Sequence, residues 1–147
     1  MKKEQPLPIR QTSGKELSDK DIADVNRLLS ELSPCSRPVT REDLARVLQS
    51  GRIAIVSGSH GIVGMATICV FHTLRGSVGR IEDVVVAESH RGHGLGKRLV
   101  DSLLVLAKRN KLLYVELTSA LHRSAAGKLY KKMGFTEYPS RYYRIDI

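Results

Sequence analysis

A chain of 147 residues, 41% apolar and 27% charged, has the length and composition of one globular domain (1–147) with a core of its own. No apolar run approaches the ~20 residues that span a bilayer, and Met1-Lys2-Lys3-Glu4-Gln5-Pro6 has no apolar stretch behind its lysines, so neither a membrane span nor a secretory leader is expected and the default location is the cytoplasm. The net charge of +9 draws anions to the surface, but the basic residues are scattered and only 5% of residues are aromatic, which does not favour nucleic acid as the partner.

Leu7–Thr12 predicts a short strand, and Pro6 and Pro8 restrict it to an edge. Ser18, with Asp21 three residues on, reads as a helix cap. Ile22, Val25, Leu28, Leu29 and Leu32 then recur at helical spacing until Ser33-Pro34. Thr40 and Asp43 open a second helix that presents Leu44, Val47 and Leu48 and ends at Ser50-Gly51. Between these helices lies Cys35. It and Cys69 stand outside any CxxC pair and read as reduced thiols.

Three Val- and Ile-rich strands follow at Arg52–Val56, Ile62–Phe71 and Gly79–Ala87. The hairpin loops between them are expected at Ser57–Gly61 and Leu74–Ser77. Val84, Val85 and Val86 are consecutive, as in a central strand buried on both faces. Leu95, Leu99, Leu103 and Leu106 then mark a helix running to about Asn110. Leu112–Leu117 reads as a strand and Ser124–Met133 as a helix closed by Gly134. Phe135–Tyr138 and Tyr142–Ile147 read as closing strands. The order β, α, α, β, β, β, α, β, α, β, β predicts an α/β (α+β) domain: one mixed sheet covered by helices.

The chemistry-bearing segment is Arg91-Gly92-His93-Gly94-Leu95-Gly96-Lys97, between a buried strand and a helix. Glycines permit a tight turn and close backbone approach. The helix start leaves amides unpaired and carries partial positive charge, a cradle for phosphate. Arg91 and Lys97 add charge. A P-loop fails at two positions, because Arg98 follows Lys97 and position 91 is not Gly. A dinucleotide fingerprint fails because position 97 is Lys and no second βαβ half follows. A glycine-rich connection without a ligand is the bland alternative. His60, His72, His90, His93 and His122 form no metal-ligand spacing, so no metal is expected.

These residues resemble the GNAT superfamily of N-acetyltransferases. Arg91-x-x-Gly94-x-Gly96 matches its R/Q-x-x-G-x-G/A pattern. Ile81-Glu82-Asp83-Val84-Val85-Val86 is similar to its central strand. Leu129-Tyr130-Lys131-Lys132-Met133-Gly134-Phe135 resembles its L-Y-x-x-x-G-F element. The resemblance spans about residues 79–136. It implies a single domain with a mostly antiparallel sheet, and acetyl-CoA as the co-substrate. The pantetheine arm would lie along Val84, Val85 and Val86, with strands splayed between Val84–Val86 and Leu112–Leu117. The pyrophosphate would lie on the amides of Arg91, Gly92, His93, Gly94, Leu95 and Gly96, with Lys97 beside it. Where the family often has an Asn, this chain has Arg123, three residues before Ala126; Arg123 is a candidate contact for a coenzyme A phosphate.

The resemblance makes Tyr130 the general acid; its phenol, with a reference pKa near 10, holds a proton at neutral pH. Glu82 is the favoured general base, through water, with Asp83 behind it. On a regular strand the two carboxylates point to opposite faces, one to the cleft and one to a structural partner. The acceptor would be a small-molecule or peptide amine. A sugar phosphate suits the positive chain, and a cationic acceptor suits it less. Leu117-Thr118-Ser119-Ala120 lacks the acidic residue of the glucosamine-6-phosphate branch. Homodimers are common in the family, and the sequence decides nothing there. A non-enzymatic acyl-CoA binding module and a basic nucleic-acid-binding protein are the alternatives.

Overall fold

The computed structural model describes residues 7–12, 16–34 and 37–147; the readings at Met1–Pro6 and Cys35 lie outside the described residues. In chain order the elements are β1 (Ile9–Thr12), α1 (Asp19–Leu32), α2 (Arg41–Ser50), β2 (Gly51–Gly58), β3 (Gly61–Thr73), β4 (Gly76–Val86), α3 (Leu95–Arg109), β5 (Val115–Leu117) and α4 (Ser124–Lys132). A single 3-10 turn, Glu88–His90, joins β4 to the glycine-rich segment.

The first two helices begin where local hydrogen bonding dictates. Ser18 and Thr40 each accept from the amide three residues on, and Asp21 and Asp43 reach back to the cap amides. These are reciprocal capping boxes, each satisfying two otherwise unpaired donors. The strands run in the order β1-β2-β3-β4-β5, antiparallel from β1 to β4 and parallel between β4 and β5.

Alternation along the strands sorts side chains between two helical layers. Ile53, Met65 and Thr67 face α1 and α2, where they meet Val25, Leu29, Leu44 and Val47. Val56 and Gly64 face α3: a Cβ on Gly64 would stand 2.8 Å from Val56 Cγ1 and 3.3 Å from Leu99 Cδ1. Leu95, Leu99, Val100 and Leu103 are buried beneath that face. At the α2–β2 junction Gly51 is required by close approach, since a Cβ there would lie 2.3 Å from the Ile68 carbonyl oxygen.

The structure corrects several sequence expectations. The hairpins are tighter: β2 and β3 are joined by Ser59-His60 alone, and β3 and β4 by Leu74-Arg75. Strand β5 is confined to Val115–Leu117. The closing strands at Phe135–Tyr138 and Tyr142–Ile147 do not form. Pro139 removes a ladder donor between the two segments, neither segment joins the ladder of β5, and Tyr138, Tyr142, Tyr143, Ile145 and Ile147 are exposed. The valine run is also not fully central. Val85 is buried, but Val84 and Val86 are half-buried, because β5 ends opposite Ile81 and leaves that side of β4 unpaired.

Candidate active site

The β3–β4 ladder contains an irregularity at the centre of the domain. Thr67 pairs with Glu82 and Met65 with Val85, so Asp83 and Val84 together oppose Ala66. This is a β-bulge, and Asp83 takes the left-handed conformation, φ +54°. The expectation that Glu82 and Asp83 face opposite ways fails for this reason. Glu82 stands opposite Thr67 on the α1/α2 side, and Asp83 lines the pocket on that same side. The Thr67 hydroxyl lies 3.0 Å from the Glu82 carbonyl oxygen and 3.3 Å from Asp83 Oδ2. Burial raises the Asp83 carboxyl above its ordinary value, and the Glu82 charge adds to the rise; the Thr67 hydrogen bond opposes both. Burial also raises the Cys69 thiol, helped by the charges of Asp83 and Glu82.

Glu82 is held differently. Arg80 donates from Nε to Glu82 Oε1 at 2.5 Å, and its other nitrogens reach Glu116 Oε1 and Thr118 Oγ1, each at 3.4 Å. The Glu82 hydrogen bond raises the Arg80 guanidinium pKa, keeping it cationic.

Strands β4 and β5 pair only over Gly79–Ile81 and Val115–Leu117. The Ala87 amide donates to Val63 on the β3 side, 2.8 Å. By alternation the main-chain groups of Val84 and Val86 point away from β3, onto the unpaired edge. Arg91 Nε donates to the Val86 carbonyl there at 3.0 Å, and its Nη2 lies 3.4 Å from Glu31 of α1.

Beyond the 3-10 turn the chain enters α3 through Gly92 (φ +81°) and Gly94 (φ +72°), the N-cap, which supplies no side-chain cap. Apart from its chain neighbours, no described residue lies within 4 Å of a Cβ built on either glycine. The open space, uncapped amides and helix dipole fit an anion. Lys97 pairs with Asp101 at 2.5 Å, and His93 Nδ1 lies 3.3 Å from the His90 carbonyl.

Helix α4 brings Tyr130 to the core edge, its ring in edge contact with Phe135 at 5.9 Å between centroids. Burial raises the Tyr130 phenol above its ordinary value, and the positive charge of Arg123 opposes that rise. Arg123, at the N-cap of α4, turns its guanidinium to the Leu32 carbonyl at the end of α1, 2.6 Å. It thus pairs a helix-terminal carbonyl that the helix itself leaves open.

Between α1, α2 and the bulge lies a pocket of about 90 Å³. Its walls are largely aliphatic; its polar liners are Thr67, Asp83 and Asp43. Asp43 is committed elsewhere, to a two-point ion pair with Arg37 at 2.8 and 2.9 Å and to the Thr40 cap, and these hold its carboxyl well below the usual range.

Residues 22–135 match the model of the Acetyltransferase (GNAT) family. The chain belongs to the GNAT family. It is 30% identical over 141 residues to a glucosamine 6-phosphate N-acetyltransferase of Trypanosoma brucei brucei, a match covering 89% of this chain and 92% of that one. Among solved structures, a Trypanosoma brucei acetyltransferase superposes with a TM-score of 0.77 at 28% identity, covering 97% and 100% of the two chains. The glucosamine-6-phosphate N-acetyltransferase of Arabidopsis thaliana superposes with a TM-score of 0.76 at 25% identity, covering 96% and 99%. The chain is accordingly an N-acetyltransferase with the mixed α/β fold of its GNAT neighbours.

GNAT enzymes use acetyl-CoA as co-substrate. The structure brings Val84–Val86 and Arg91–Lys97 to one end of the sheet. The Arg91, Lys97 and Arg123 side chains are each engaged within the protein, with Glu31 and Val86, with Asp101, and with Leu32. Sequence reasoning missed Thr67, Arg80 and Glu31. Thr67 had a signal: it is a polar residue inside the apolar run Ile62–Val70, and it is 4% exposed. Among the described residues no group of three or more His, Cys, Asp and Glu is arranged to hold a metal ion, and no helix is long and apolar enough to cross a membrane.

Proposed function

We propose that the enzyme moves an acetyl group from acetyl-CoA to a primary amine by direct attack on the thioester, with Tyr130 as general acid and a carboxylate of the bulge as base. The observation that carries this reading is the parting of β4 from β5 after Ile81, beside an α3 start left without a side-chain cap. Acetyl-CoA supplies an acyl group on a good leaving group. The main-chain edge of Val84 and Val86 would hold its arm. The amides from Arg91 to Lys97 would hold its pyrophosphate.

The rest is the work of the chain's own groups. An amine must lose a proton to attack, and the departing thiolate must gain one. Tyr130 keeps its proton at neutral pH, because burial outweighs the pull of Arg123. Of the two carboxylates, the sequence favours Glu82, acting through water, but the surroundings of the two groups support Asp83. Glu82 already accepts a hydrogen bond from Arg80, whereas Asp83 faces the pocket with a raised carboxyl pKa, closer to the working pH of a general base. A main-chain amide near Val84 would polarise the reacting carbonyl.

Steady-state kinetics with the purified full chain tests the assignment. Tyr130→Phe and Asp83→Asn are each expected to lower kcat while acetyl-CoA affinity, read by calorimetry, stays within about twofold. Full activity in Tyr130→Phe would refute the acid. A larger loss in Glu82→Gln than in Asp83→Asn would return the base role to Glu82.

A further inference from the structure

We infer that the acceptor is an unphosphorylated primary amine carried on a short apolar body. The inference rests on the acetyl-transfer reading above and names the acceptor of that same site. Two independent observations carry it, one of shape and one of charge.

The pocket beside the bulge is walled by Val25, Leu29, Leu44, Val47 and Met65, and Asp83 and Thr67 supply polar groups on its sheet side. At about 90 Å³ it is smaller than the ~150 Å³ cavity that takes up a benzene ring. It offers a few carbon atoms a dry wall. It offers the hydroxyls of a sugar few partners, because Asp43, its third polar liner, is committed to Arg37, Arg46 and the Thr40 cap, and polar groups buried without partners are disfavoured. An amine whose nitrogen meets Asp83 can lay its alkyl group along that wall.

The charge around the bulge is opposite to that of the chain. The protein carries +9, but at this point Arg80 stands against Glu82, Glu116 and the adjacent Asp83. Arg37 and Arg46, near the pocket, both pair with Asp43, and Arg46 also with Glu42, so two carboxylates meet these two cations. A phosphate brought here would face carboxylates, and Arg80 is already bonded to two of them. A protonated amine arriving from solvent would be attracted. This reverses the expectation that a cationic acceptor suits the chain less well. It also sets the enzyme apart from its Trypanosoma brucei brucei relative, whose name specifies a phosphorylated acceptor.

Release of the coenzyme A thiol is the readout, with isopentylamine, glucosamine and glucosamine 6-phosphate as acceptors, and acetyl-CoA binding is measured separately by calorimetry. The expected result is a kcat/KM for isopentylamine at least tenfold above that for glucosamine 6-phosphate. Val47→Phe, which fills the pocket, should raise KM for isopentylamine at least fivefold and leave acetyl-CoA affinity unchanged. Should that variant fail to fold, Leu29→Ala, which widens the pocket, should shift preference from isopentylamine towards 2-phenylethylamine. Preferred turnover of glucosamine 6-phosphate would overturn the inference while leaving acetyl transfer intact. So would acetyl-CoA binding without turnover of isopentylamine. Absence of acetyl-CoA binding would instead overturn the underlying reading, and the inference with it.

Discussion

The Thr67 hydroxyl sits 3.3 Å from the Asp83 carboxylate and 3.0 Å from the carbonyl of Glu82, bridging the bulge residue Asp83 and the acidic residue before it. A hydroxyl has one proton to donate, so stabilisation of the Asp83 anion is shared with a main-chain acceptor. Burial and the Glu82 charge therefore prevail, and the carboxyl titrates above its ordinary value. A left-handed backbone position, a carboxyl with a raised pKa and a neighbouring like charge coincide at one residue that solvent still reaches. Such coincidences mark functional positions.

Two substitutions should move the acid limb of the rate profile in opposite directions. A base must be deprotonated, so kcat/KM rises with pH through the Asp83 pKa. Thr67→Val removes the interaction that lowers that pKa, and the limb should move to higher pH. Glu82→Gln removes a charge that raises it, and the limb should move to lower pH. Profiles of kcat/KM from pH 5 to 9 decide the matter; a common shift of both variants would show that Asp83 is not the titrating base.

Asp83→Asn should trade activity for stability. With its pKa raised on folding, the carboxyl binds more protons in the folded chain than in the unfolded one between the two pKa values. Stability then falls as pH rises from the unfolded value through the folded one, and the deficit persists above it. Asn carries no charge and accepts a left-handed φ such as the +54° here. Tm of Asp83→Asn should exceed that of the parent at pH 7–8, with the advantage vanishing near pH 3. Its kcat should fall about 100-fold, within the usual range for loss of an acid–base group. Thermal melts across pH, paired with kinetics, test both halves.

The glycine-rich turn was legible because its chemistry is local. Gly92 and Gly94 occupy positive-φ positions that only their own sequence need specify, and the capping boxes at Ser18 and Thr40 are likewise short-range. The bulge was not legible. Period-two alternation assumes one residue opposite one residue, and only pairing with β3 reveals that Asp83 and Val84 share Ala66. The tail misled for a related reason: Tyr143, Ile145 and Ile147 alternate as a strand does, but alternation supplies no ladder partner. The pocket was hidden because Val25, Leu29, Leu44 and Val47 look like any core-facing helix stripe until two helices and the sheet leave a gap between them.

Tyr130 and Arg123 should separate proton supply from helix anchoring. Tyr130→Phe keeps the edge contact with Phe135 and removes only the hydroxyl, so kcat should fall about 100-fold with Tm nearly unchanged. Arg123→Met removes the cation that opposes the rise of the phenol pKa, so the basic limb of the kcat profile should move to higher pH. It also leaves the Leu32 carbonyl without its 2.6 Å donor, a loss of about 1–3 kcal/mol read by urea unfolding. A destabilised Arg123→Met with an unmoved basic limb would mean that Arg123 anchors α1 and leaves Tyr130 unaffected.

Gly94 and Gly96 should respond oppositely to alanine, although both belong to one motif. Gly94 holds φ +72°, where a Cβ costs roughly 1–2 kcal/mol. Apart from its two chain neighbours, no residue comes within 4 Å of that Cβ, so crowding against the rest of the fold does not explain a loss of acetyl-CoA affinity; a methyl group standing in the cofactor's path does. Gly96 lies in the first turn of α3, outside the positive-φ region, and a Cβ there meets Leu129 Cδ2 at 3.7 Å, an ordinary contact. Alanine at Gly96 also recovers up to about 1 kcal/mol of helix propensity. Gly94→Ala is therefore expected to lose both stability and acetyl-CoA affinity, and Gly96→Ala to gain stability while binding acetyl-CoA as before. Urea unfolding and calorimetric titration of the two variants provide the comparison. Equal loss of affinity in both would mean that the cofactor presses on the first turn of α3 itself as well as on the glycines that lead into it.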